Sequence, residues 1–200
     1  MILLFMALFL ATQTPAASLP ANTIFTIEDG KTEALLLPSK AVWTLKNDKT
    51  ERPGVGKTES SIEKKDETVL MRGFLASLPG NWGRVGFSLM EAAITKPIQR
   101  SLGIKFRMHG TDGLWASVLV KDRQWNQPEG TLTFQWEFEV KPEPTEYEAP
   151  WSEFVPTIRG KKVSGYEIDL FSVQALSFQV ARSQQKKWYE TSPLEFEIKL

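Results

Sequence analysis

Ten residues, Thr131-Leu-Thr-Phe-Gln-Trp-Glu-Phe-Glu-Val140, alternate without a break, so Leu132, Phe134, Trp136, Phe138 and Val140 share one face. A side-chain period of two belongs to a strand, not a helix. A strand face this aromatic must be covered by a second layer of structure. Gly103–Met108, Leu176–Val180 and Leu194–Leu200 repeat the pattern. Thr23–Ile27, Ala41–Leu45, Thr68–Leu75, Arg84–Leu89 and Leu114–Val120 are short runs rich in β-branched, apolar and aromatic residues. Gly and Pro punctuate the spacers at Pro53-Gly54, Pro79-Gly80, Asp112-Gly113, Pro128–Gly130 and Pro142–Pro150. Regular short strands between such turns favour a β-sandwich or a barrel. Only Ser88–Arg100 has weak helical character, and Pro97 interrupts it. The polar stretch Lys46–Lys65 reads as a long surface loop.

The composition closes off several chemistries. There is no Cys, so disulfides, thiolate nucleophiles and cysteine metal sites are excluded, and a single His rules out a His-rich metal centre. Twenty-four basic residues balance 24 acidic ones, which removes the electrostatic case for a nucleic-acid partner. Two hundred residues suffice for one domain with a sizeable core.

The first residues read as an export signal. Ile2–Ala11 is a run of about ten apolar residues, too short to span a bilayer comfortably. Small residues at Ala16, Ala17 and Ala21 suit cleavage, although the segment before the run has no Lys or Arg. The first basic residue is Lys31, unlike an Arg-rich transit peptide. The expected organisation is a signal peptide over 1–21, a lead-in strand region over 22–39 and a β-sandwich over 40–200. The mature protein is expected to be exported, periplasmic or secreted, with no stable membrane span.

Candidate catalytic groups do not assemble. Gly54-Val-Gly-Lys-Thr58 suggests a phosphate loop, but Glu51 stands where its first Gly belongs. His109 falls at an expected hairpin turn beside Asp112, where no second His completes a triad. Glu137 and Glu139 fall on the solvent face of one strand, whereas a glycosidase needs carboxylates facing each other across a cleft. Calcium would prefer the clustered oxygens at Asn47-Asp48 or Glu143–Glu148, but neither is assigned as a metal site.

Trp151-Ser-Glu-Phe-Val-Pro-Thr-Ile-Arg-Gly160 combines an aromatic lead-in, a short apolar strand ended by a proline, and an Arg-Gly turn. It resembles the signature of the Complex I intermediate-associated protein 30 family. Further similarities follow in order: Trp43 before Asn47-Asp48, Met71–Leu75 with Gly83–Phe87, Ile104–Trp115, Val173–Val180 and Ser192–Ile198. The resemblance spans about residues 40–200. It implies a galactose-binding-like jelly roll and a role in protein assembly, since mitochondrial members help build respiratory complex I.

The expectation is therefore an all-β, two-sheet jelly-roll sandwich that binds without catalysis and without a cofactor. Its partner is a protein or assembly intermediate, with a carbohydrate as the alternative. The binding residues named from sequence are Trp43, Asn47, Asp48, Asp112, Trp151 and Arg159. Trp43 and Trp151 offer stacking faces, and Arg159 offers a planar fork for carboxylates or carbonyls.

Overall fold

The computed structural model describes residues 24–28, 31–36, 40–51, 57–76, 86–95, 97–98, 101–185 and 193–200. The N-terminal apolar run and most of the Gly54–Thr58 motif lie outside them. In chain order the strands are β1 (Ile24–Glu28), β2 (Lys31–Leu36), β3 (Trp43–Asn47), β4 (Glu59–Lys65), β5 (Thr68–Leu75), β6 (Phe87–Ala93), β7 (Gly103–Gly110), β8 (Trp115–Lys121), β9 (Asn126–Gln127), β10 (Gly130–Glu139), β11 (Thr145–Pro150), β12 (Val155–Ile158), β13 (Lys161–Lys162), β14 (Ala175–Ala181) and β15 (Leu194–Lys199). The one α-helix among the described residues is the single turn α1 (Asp48–Glu51).

The strands form two antiparallel sheets. The first runs β2-β1-β7-β15-β5-β4, with β11 also on β7, and the second runs β13-β12-β10-β8-β14-β6-β3, with β9 also on β10. The sequence β1–β2 therefore joins the first sheet through β7. The expected two-sheet sandwich is what forms.

Alternation along each strand sends one set of side chains into the space between the sheets. The Thr131–Val140 pattern places Leu132, Phe134, Phe138 and Val140 in the core, with Trp136 packed at its margin. Phe106 of β7 is the hub. Its ring lies 5.1 Å from Phe178, 5.4 Å from Phe138 and 5.4 Å from Tyr147, so it joins both sheets.

Several local expectations are corrected. The weakly helical Ser88–Arg100 begins as strand β6, because Ser88, Met90 and Ala92 face the core while β3 and β14 take up its backbone hydrogen bonds. The Lys46–Lys65 loop contains α1 and the edge strand β4, whose one apolar side chain, Ile62, gave little pattern to read. Pro142–Pro150, read as a spacer, carries β11. Pro156 does not end its strand but sits inside β12. Its carbonyl accepts from the Val163 amide at 3.0 Å, so its ring nitrogen faces the same edge, beyond the two-residue β13, and interrupts no central ladder.

The Arg-Gly turn has a definite geometry. Ile158 pairs with Lys161, leaving Arg159 and Gly160 as a two-residue loop with φ of 51° and 73°. Positive φ at both positions is the type I′ hairpin, which prefers Asn-Gly because a larger side chain is strained there. Arg159→Asn should therefore raise stability by about 0.5–1 kcal/mol in chemical denaturation. A loss of stability would show that the Arg159 side chain, which lies against Gly130, anchors the turn.

Candidate functional site

The outer face of the second sheet carries the densest polar arrangement. β8 directs Trp115, Ser117, Leu119 and Lys121 to this side while Ala116, Val118 and Val120 point into the core. Register then builds rows across the sheet. Glu139 faces Trp115; Glu137, Ser117, Gln179 and Leu89 form the next row; Gln135, Leu119, Ser177 and Glu91 form the one beyond. From Ser117 to Lys121 the face runs about 13 Å at the usual rise per residue.

This face has a low floor recessed beneath longer side chains. Ser117, Ser177 and Leu119 are 0 %, 1 % and 6 % exposed although they point away from the core. Longer side chains stand around this floor and hold one another in place. Gln135 Nε2 donates to Ser117 Oγ and to Glu137 Oε1, each at 2.9 Å. Gln184, from the short 3-10 turn after β14, donates to the same Glu137 oxygen at 3.1 Å and also to Ser117. The neighbouring Gln185 clamps the Trp115 backbone, accepting from its amide at 2.9 Å and donating to its carbonyl at 2.8 Å. Trp115 and Phe87, both half-buried, close this end of the face on either side of Ala181, the register partner of Phe87.

At the other end, Glu91 lies between two lysines. Lys46 Nζ is 2.9 Å from one carboxylate oxygen; Lys121 Nζ and, at 3.1 Å, Ser177 Oγ donate to the other. Burial alone would raise the Glu91 pKa, but the hydrogen bonds from Lys121 and Lys46 outweigh it and hold the carboxyl below its ordinary value.

The residues named from sequence do not converge on this face. Trp43 points inward from β3, its ring 6.2 Å from Phe178. Asn47 and Asp48 are buried at the far end of β3. Asn47 caps α1 by accepting from the Thr50 amide at 2.9 Å and donates to Ser60 Oγ at 2.9 Å. Asp48 Oδ2 accepts from the Lys57 amide at 3.1 Å. Asp112 is exposed in the turn between β7 and β8. Trp151 donates from Nε1 to Ser101 Oγ at 2.8 Å, and Arg159 tops its hairpin. His109 lies on the outer side of β7 rather than in the turn; burial and the nearby Lys199 lower its pKa. Glu137 is the network residue that sequence reading placed on a solvent face. Among the described residues there is no group of three or more His, Asp or Glu fit to hold a metal ion, and no helix long and apolar enough to cross a membrane.

A second surface lies on the outer face of the first sheet. It is an open groove of about 720 Å³ in which Phe74, 46 % exposed, stands between its register partners Glu59 and Glu195.

Two antiparallel sheets around an aromatic core define a β-sandwich. The family 11 carbohydrate-binding module from Clostridium thermocellum, in complex with a β-1,3-1,4-mixed-linked tetrasaccharide, has a similar structure, with a TM-score of 0.50 at 13 % identity over 90 % of this chain and 96 % of that one. The family 11 module of the cellulase Lic26A-Cel5E of the same organism gives 0.49 at 14 % identity, covering 83 % and 92 %. A family 29 carbohydrate-binding module gives 0.39 at 10 %, covering 80 % and 85 %. At such identities the likeness is one of fold. No curated protein sequence matches the chain. The model of the Complex I intermediate-associated protein 30 family matches residues 32–198, and the chain belongs to that family.

Proposed function

We propose that this chain is a non-enzymatic, exported binding module that takes a hydroxyl-rich chain, a glycan, along the recessed face of the second sheet. One observation carries the reading: Ser117, Gln135, Glu137 and Gln184 are hydrogen-bonded to one another around a recessed floor before any ligand arrives. Sugar hydroxyls both donate and accept, and such fixed amides and carboxylates meet them with little ordering cost. Trp115 and Phe87 add ring surface at one end, where a sugar face can pack. The fold shared with a module holding a mixed-linkage tetrasaccharide supports the reading. The apolar run at Ile2–Ala11 supports export.

A protein partner or assembly intermediate is the second reading. The family's description favours it, and so does the exposed Phe74 in its groove, since aromatic side chains serve as anchors at protein interfaces.

Affinity electrophoresis of the full chain through gels containing mixed-linkage β-glucan, xylan, galactan or polygalacturonate tests both. Retardation by at least one polymer is expected. Gln135→Ala and Glu137→Ala should each weaken it about tenfold or more, the scale of 1.4 kcal/mol, while Phe74→Ala leaves it unchanged. No retardation by any polymer would overturn the assignment and favour the protein partner, and retardation lost only in Phe74→Ala would overturn its placing on the second sheet.

A further inference from the structure

Glu91 is one carboxylate shared by two ammonium groups. Side chains of Lys46, Lys121 and Glu91 are 35 %, 18 % and 16 % exposed, so the cluster carries a net positive charge that is largely withdrawn from water. A partly buried charge without a counter-ion is costly, and an anion brought to it recovers that cost. Each ammonium has three donors. Each spends one on Glu91 and makes no other hydrogen bond to a described residue. Lys162, exposed on the same face as the register partner of Thr157, adds a further positive charge at this end. Glu137, exposed and bonded among the described residues only to the side-chain amides of Gln135 and Gln184, puts a negative charge towards the opposite end.

We infer that the Lys46–Glu91–Lys121 cluster is an anion subsite, and that the ligand of the recessed face is an acidic glycan whose carboxylate or sulfate group takes the ammonium hydrogens of Lys46 and Lys121 that Glu91 leaves free. This inference rests on the glycan reading above and gives it a substrate class. Glu91 fixes the spacing of the two ammonium groups, and Ser177 fixes Glu91. Gln135, Glu137 and Gln184, held in place over Ser117, then take neutral hydroxyls further along the chain.

The test compares polygalacturonate, dextran sulfate and neutral mixed-linkage β-glucan by affinity electrophoresis and by calorimetric titration of the full chain. An acidic polymer should bind at least tenfold more tightly than the neutral one, with polygalacturonate against dextran sulfate separating carboxylate from sulfate. Lys121→Gln and Lys46→Gln should each abolish the preference, Lys121→Arg should restore most of it, and Lys65→Gln, on the first sheet, should leave it intact. Equal affinity for acidic and neutral polymers, or a preference that survives both Gln variants, would overturn the anion subsite while leaving the glycan reading in place. Failure of all three polymers to bind would overturn the anion subsite, and failure of xylan and galactan as well would overturn the glycan reading too.

Discussion

Phe106→Ala should destabilise the protein by about 3–5 kcal/mol, the range for removing a buried aromatic ring. Phe106 is 1 % exposed and is the one ring touching Phe138 and Phe178 of the second sheet as well as Tyr147 of the first. Its loss leaves a cavity between two sheets that are both held by extended ladders, so neither can collapse to refill it. Chemical denaturation would show a lower midpoint with an unchanged slope. For a chain of this size the melting temperature should fall by roughly 6–20 °C. A loss below about 1 kcal/mol would mean that the sheets do not depend on this ring cluster.

Phe154→Ala should cost about 3 kcal/mol, near the lower end of the same range, because this ring lies at the margin of the core and not at its centre. Phe154 is 7 % exposed, with its ring 5.1 Å from Trp151. Trp151 is itself fixed by its indole bond to Ser101 and by its amide, which donates to the Leu102 carbonyl at 3.0 Å. The pair holds the crossover from β11 in the first sheet to β12 in the second. The family signature at Trp151–Gly160 is thereby explained as architecture: an aromatic clamp at the crossover, then a strand, then a type I′ turn. Full stability in Phe154→Ala with lost ligand binding would contradict this and make the signature a binding element.

The fold was legible because its core strands alternate cleanly. Leu132, Phe134 and Phe138 pointed inward from pattern alone, and the order of family motifs agreed. Elements went unread where pattern is thin. β4 has a single apolar residue on its inner side, and β11 is a short strand packed against β7 with a proline at its end. The recessed face was hidden for a different reason. Its polar residues come from β3, β6, β8, β10, β14 and the turn after β14, and only sheet register brings Glu91, Lys121 and Ser177 into one cluster. The visible signal was Ser117 and Lys121 at alternate positions of an otherwise apolar strand, and Gln135 and Glu137 beside them. Aromatic residues drew the sequence reading instead, and of these Trp43 packs against Phe178 and Trp151 against Phe154.

Amide chemical-shift mapping locates a bound glycan on one sheet or the other. The full chain, labelled with nitrogen-15, is titrated with the oligosaccharide of whichever polymer retards it most. Saturable shifts are expected at residues 44–46, 87–91, 115–121, 135–139 and 175–184, with the β4–β5–β15 surface around Phe74 unmoved. Shifts concentrated around Phe74, or none at saturating ligand, would contradict the placing of the glycan on the second sheet.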